Sequence, residues 1–247
     1  MTSRHICAGA LSSILLLGAG SAVAQTSQTD PAQAEQAKQM QAVSEQFQAR
    51  VDEAARALEK EPRLQKLTHQ QRKDLVEFVV GNMLFALLHE LGHAHVSEMG
   101  LPVLGREEDA ADSYAVTALL KVGTGVSRGV LVEATKAWFL SAERDQKEGI
   151  KLDFYDAHGL DKQRAYQIVC LMVGSDPDKF ADLANHVKMP EDRQGTCQGD
   201  YSNASWSWET VLKPHLRAPD HPKQKIKVVY GEVGDYAVYP KRFAQSV

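Results

Sequence analysis

From Phe78 to Leu88 the chain is almost wholly apolar, and the next five residues, 89–93, read His-Glu-Leu-Gly-His. No other stretch limits the possible folds as strongly. Thr68 and Gln71 form the T-x-x-Q pattern of a capping box ahead of the run, and Gly100 and Pro102 break the chain after it. A single helix is therefore expected over about residues 69–97. Apolar on most of its sides, it is expected to be the central buried helix. Histidines late in such a helix are costly to bury without partners. Yet His89 and His93 are four residues apart, which turns both imidazoles to one face, and Gly92 leaves one side of the helix open to close approach. Something bound between the imidazoles would resolve the conflict.

A hydrolytic metal centre needs three protein ligands and an open position for water. The H-E-x-x-H spacing offers two ligands. Glu90, beside His89, can reach a metal-bound water without binding the metal, as general base and then as proton donor to a leaving amine. A third ligand is available in "GREEDAADSYAV", where a second helix is expected from about Arg106 to Leu120. Glu108 can bind the metal. Asp112, one turn on along the same face, can accept a hydrogen bond from a ligand imidazole and orient it. Acids at a helix start also complement its dipole. That account suffices for Glu107 and Asp109 but leaves Asp112 unexplained.

Other side chains compete for roles. His95 points away from the His89–His93 pair. His158, in "YDAHGLDKQR", is a candidate to steady an oxyanion across the cleft; capping the following helix is its alternative. Arg164 is a second candidate for that work, or for pairing with an acid such as Asp112, and Tyr155 a third. His69, His186, His215 and His221 read as solvated positions.

The formal net charge of −4, with 24% charged and 43% hydrophobic residues, belongs to a soluble globular protein. No basic cluster argues for nucleic acid. The start, "MTSRHICAGALSSILLLGAGSAVAQ", has a basic residue, a short apolar stretch and a small-x-small site at Ala22-Val23-Ala24. It reads as a bacterial signal peptide over residues 1–24, which implies a periplasmic or secreted protein with no stable membrane insertion after cleavage. The remaining Cys170 and Cys197 then meet an oxidising compartment, where one intramolecular disulfide is expected. The alternative is that Cys170, inside "IVCLMV", is a buried free thiol.

Residues 25–41, rich in Gln, Ala, Ser and Thr, read as a flexible start. Val43, Phe47, Val51, Ala54 and Leu58 mark one face of a helix that Pro62 ends. Further helices follow over 127–149, from Leu160–Asp161, after "GSDP", and through most of 189–216. "KIKVVYGEV" and "DYAVYP", separated by Gly234, read as a β-hairpin. The expected layout is a signal peptide over 1–24, an extension over 25–67 and a domain over 68–247.

"HELGH" followed by "EDAAD" resembles the gluzincin pattern, H-E-x-x-H then E-x-x-x-D. That resemblance makes Glu108 the third ligand and Asp112 its orienting partner. Residues 75–215, with "GREEDAAD", "LDKQR", "CLMVGSDP" and "PEDR" in order, also resemble a family of bacterial metallopeptidases catalogued as a domain of unknown function. The family's paired cysteines would be Cys170 and Cys197. The helical stretch 41–61 stands where the family carries a strand-bearing segment before the metal helix. The combined expectation is a mainly α, zincin-like α+β fold: a helical metallopeptidase core with a small C-terminal β-hairpin. Its metal would be Zn²⁺, held by His89, His93 and Glu108, with Glu90 as base, acting on a peptide or protein substrate in the cell envelope. A non-catalytic zinc-holding binding module, and a helical protein with no metal, are the alternatives.

Overall fold

The computed structural model describes residues 31–216, and all the regular elements among them are helical. In chain order they are α1 (Pro31–Ala57), α2 (His69–Met99), α3 (Glu107–Val122), α4 (Gly125–Glu148), α5 (Asp161–Ser175), α6 (Pro177–His186) and α7 (Glu191–Leu212). Single 3₁₀ turns follow α1 and α7. The residues of the expected hairpin near Gly234, and those of the expected signal peptide, lie outside the described residues. Among the described residues the fold is all-helical.

The helix boundaries follow local chemistry. Thr68 Oγ1 accepts from the Gln71 amide at 3.2 Å while Gln71 Oε1 accepts from the Thr68 amide at 2.8 Å, so the capping box opens α2. Gly100 closes α2 with φ +61°, the left-handed conformation that glycine adopts without steric cost. Asp176 and Pro177 open α6 with an aspartate cap and a proline in the first turn. The helix α1 starts ten residues earlier than the apolar stripe implied. Ala, Gln, Glu and Lys are good helix formers, and Gln39–Glu35 and Gln41–Glu45 hydrogen bonds four residues apart support the segment expected to be flexible.

The centre of the molecule is α5. Every residue from Ile168 to Gly174 is buried, and α3, α4, α6 and α7 pack around it. This corrects the placing of α2 at the centre. Phe85, His89 and Gly92 of α2 are buried, but Val79, Met83, Leu87 and Leu91 are exposed. The reason is the number of neighbours: α1, α3 and α4 cover one side of α2 and leave the other to solvent. Apolar composition all round a helix does not enclose it unless partners are available on every side.

Two close approaches fix the layers. A Cβ on Gly92 would stand 2.9 Å from the Ala111 Cα, so only glycine lets α2 and α3 meet here. The Cys170–Cys197 disulfide is formed, with an S–S distance of 2.07 Å, and ties α5 to α7. Closing a loop of this size stabilises by about 3–4 kcal/mol in the chain-entropy picture.

Candidate metal centre

The contact of α2 with α3 brings His89, His93 and Glu108 together. His89 Nε2 and His93 Nε2 are 3.2 Å apart. Glu108 Oε2 lies 3.2 Å from the first and 3.4 Å from the second. The three donor atoms thus form a nearly equilateral triangle. Ligand atoms about 2.0–2.1 Å from a tetrahedral cation are separated from one another by about 3.3 Å, the same spacing.

The contacts of the other ring nitrogens fit this reading. His89 Nδ1 lies 2.8 Å from Asp112 Oδ1, and His93 Nδ1 lies 2.7 Å from Glu107 Oε1. With each Nδ1 proton donated to its carboxylate, both Nε2 atoms carry bare lone pairs aimed at one point. Glu108 Oε2 is buried and has no hydrogen-bond partner, although imidazole nitrogens stand within ion-pair distance of it. Three lone-pair atoms facing one another without a proton repel, and a cation between them removes the repulsion. On that ground the residues fit a divalent metal.

The orienting carboxylates differ. Asp112 is buried, and Arg164 donates to it from Nε to Oδ2 at 2.7 Å and from Nη2 to Oδ1 at 2.8 Å. The Arg164 guanidinium lies 3.8 Å from the Trp138 ring centroid, so α4 and α5 buttress the ion pair. Burial by itself would raise the Asp112 pKa, but the hydrogen bonds from His89 and Arg164 outweigh it and hold the carboxyl below its usual value. Glu107 is about half exposed. Its hydrogen bond raises the His93 pKa against partial burial, with Glu108 adding to the effect.

His158 sits at the rim, in the loop before α5. Its Nε2 is 3.0 Å from Glu108 Oε2, and Asp156 holds its Nδ1 at 2.9 Å. Glu90 is exposed on α2, one residue from the buried His89. Tyr155 is 85% exposed and hydrogen-bonds Asp153, away from the ligand triangle. His95 stays outside the triangle and stands 3.1 Å from the Tyr114 hydroxyl, where burial lowers its pKa. His69 pairs with Asp52, and His186 and His215 are exposed. His221 lies outside the described residues.

Glu107 is the residue that the sequence reading missed. The dipole argument accounted for it, and only the way α3 crosses α2 turns it toward His93. Its place fourteen residues after His93, beside Glu108, was the available signal. Asp109, two residues on from Glu107, does pair locally, with Arg106 at 2.9 Å.

A family model described as "Putative metallopeptidase" matches residues 48–212, more than half of the chain. This chain belongs to that metallopeptidase family. The match takes in all of α2 to α7, and with them the ligand triangle, both orienting carboxylates, His158, Arg164 and the disulfide. It begins inside α1, within the stretch that the sequence reading set apart as an extension. No curated protein and no solved structure matches the chain. Membership in a metallopeptidase family and a possible His89–His93–Glu108 metal site agree with each other.

Proposed function

We propose that this protein is a zinc-dependent, gluzincin-like metallopeptidase that hydrolyses peptide bonds in the bacterial cell envelope, exported by residues 1–24. The ligand triangle carries the reading: two imidazoles and one carboxylate, with both imidazoles oriented by carboxylates, form a donor set typical of catalytic rather than closed structural zinc. When bound, the metal lowers the pKa of a water and polarises the scissile carbonyl.

The protein groups have separate tasks. His89, His93 and Glu108 would hold the ion. Asp112 and Glu107 fix which nitrogen each imidazole presents. Glu90 takes a proton from the attacking water and passes it to the leaving amine. Its exposure next to the buried His89, which leaves the carboxylate open to solvent, supports that role. His158, its Nδ1 held by Asp156, would donate from Nε2 to the developing oxyanion only in its doubly protonated form, with a proton on each ring nitrogen.

The experiment is metal content with two variants. The purified protein is expected to hold about one zinc per chain, and Glu108→Ala to hold it weakly or not at all. Glu90→Gln is expected to keep zinc and lose hydrolysis. A folded chain that takes up no zinc would sink the proposal. Zinc uptake without peptide hydrolysis, unchanged in Glu90→Gln, would assign the site to a non-catalytic binding module.

A further inference from the structure

Three histidines stand around Glu108 Oε2, and they are held alike. The Nε2 atoms of His158, His89 and His93 lie 3.0, 3.2 and 3.4 Å from that oxygen. In each ring the other nitrogen, Nδ1, faces a carboxylate of its own: Asp156 at 2.9 Å, Asp112 at 2.8 Å and Glu107 at 2.7 Å. A neutral imidazole that donates its Nδ1 proton to a carboxylate presents a lone pair at Nε2, the arrangement of a metal-binding histidine. His69 and His95 are placed otherwise: each makes its contact through Nε2, with Asp52 and with the Tyr114 hydroxyl. Asp156 Oδ1 also accepts from the His158 backbone amide at 2.7 Å, so one oxygen sets both the backbone and the ring.

We infer that His158 is a fourth, displaceable ligand of the metal, bound through Nε2 in the resting protein and released when substrate arrives. This rests on the zinc reading above. His158 meets the ligand triangle at Glu108 and is the most open of the four side chains, 52% exposed against 9% for His89, 24% for His93 and 19% for Glu108. Residues 149–158 are all exposed, so the loop carries no buried side chain that would anchor it short of the triangle. The other three ligands stand on packed helices, and a ligand on an exposed loop is the one that can leave. Four protein ligands close a zinc site, whereas hydrolysis needs a position for water; departure of His158 would supply that position. Ligation and donation to an oxyanion use the same nitrogen, so His158 serves one at a time. The competing account is a plain ion pair between doubly protonated His158 and Glu108. Under it, removing the cation leaves metal affinity unchanged or higher.

The test is metal binding by the purified protein and its variants, read by competition titration with Zn²⁺ and by the visible absorption of the Co²⁺-loaded protein. His158→Ala is expected to lose at least about tenfold in Zn²⁺ affinity, since loss of a group that merely orients a ligand already costs that much. Its Co²⁺ bands are expected to change, because water takes the place of a nitrogen. Asp156→Ala is expected to weaken binding less and to leave the bands in place. Glu108→Ala, the control for the site itself, is expected to lose the metal. Zn²⁺ affinity that holds or rises in His158→Ala, while Glu108→Ala loses the metal, overturns the inference and leaves the three-ligand site and the hydrolase reading standing. Co²⁺ bands identical in His158→Ala and the wild type overturn it as well, whatever the affinity, because a loss that comes through folding leaves the ligand set intact. A wild-type chain that takes up neither ion overturns the site and this inference with it.

Discussion

Arg164 holds Asp112 at two points, 2.7 Å and 2.8 Å, with both side chains buried. Removing the cation alone leaves a buried carboxylate with only His89 to balance it. Arg164→Met is therefore expected to destabilise the fold by about 3–5 kcal/mol in denaturant unfolding. Arg164→Met combined with Asp112→Leu is expected to lose less than the two single changes summed. Strict additivity would show that the pair is not coupled.

The two orienting carboxylates should differ in their effect on metal affinity. Asp112 is buried and immobilised, so Asp112→Ala is expected to weaken binding toward the upper end of about 10–100-fold. Glu107 is half exposed, and water can replace it, so Glu107→Ala belongs at the lower end. Competition titration with a metal-sensitive dye ranks them, and the reverse order would refute the assignment.

Metal uptake should depend on pH through His93. In the metal-free chain its pKa lies above 6.5, chiefly because of Glu107. That shift stabilises the metal-free fold below pH 6.5, and the contribution is lost as pH rises through the raised value. Metal binding has the opposite sign, because it needs the neutral imidazole. Affinity titrated downward from about pH 8 is expected to begin falling above the ordinary imidazole range. Glu107→Gln is expected to move that onset to lower pH. An onset unmoved by Glu107→Gln would remove Glu107 as its cause.

Gly92→Ala would place a methyl group 2.9 Å from the Ala111 Cα. The two helices must separate or shift, at a cost of about 1–3 kcal/mol. Since His89 and His93 lie on one helix and Glu108 on the other, metal affinity is expected to fall together with stability. Loss of stability with affinity preserved would place the ligands independently of that contact.

Cys197→Ser removes the tie between α5 and α7. A loss of about 2–4 kcal/mol is expected in urea denaturation, with no comparable effect when the wild-type protein is measured reduced against the variant.

Much of this molecule was readable from residue order. Gly100, Thr68 with Gln71, and Asp176-Pro177 marked helix ends because capping is local chemistry. His89 and His93 stood out because a four-residue spacing on a helix fixes direction, and Glu108 through the resemblance of "EDAAD" to the E-x-x-x-D pattern. What was not readable depended on which helix packs where. The burial of α5 rather than α2 is set by the number of neighbours, and both sequences are apolar. Glu107 and Asp109 are acids two residues apart in one helical turn. One contacts His93 and the other a surface arginine, and only the crossing of α2 and α3 decides between them.

His89 and Glu108 are separated by nineteen residues, while Arg164 follows Asp112 by fifty-two. The candidate ligands and the two carboxylates that hydrogen-bond their imidazoles therefore all belong to one helical hairpin, closed by a short loop, while the Arg164 clamp on Asp112 closes a longer one at an extra entropic cost of about 1 kcal/mol. The hairpin of α2 and α3 carries the whole donor set, and the distant helix adds the guanidinium that anchors one of its carboxylates.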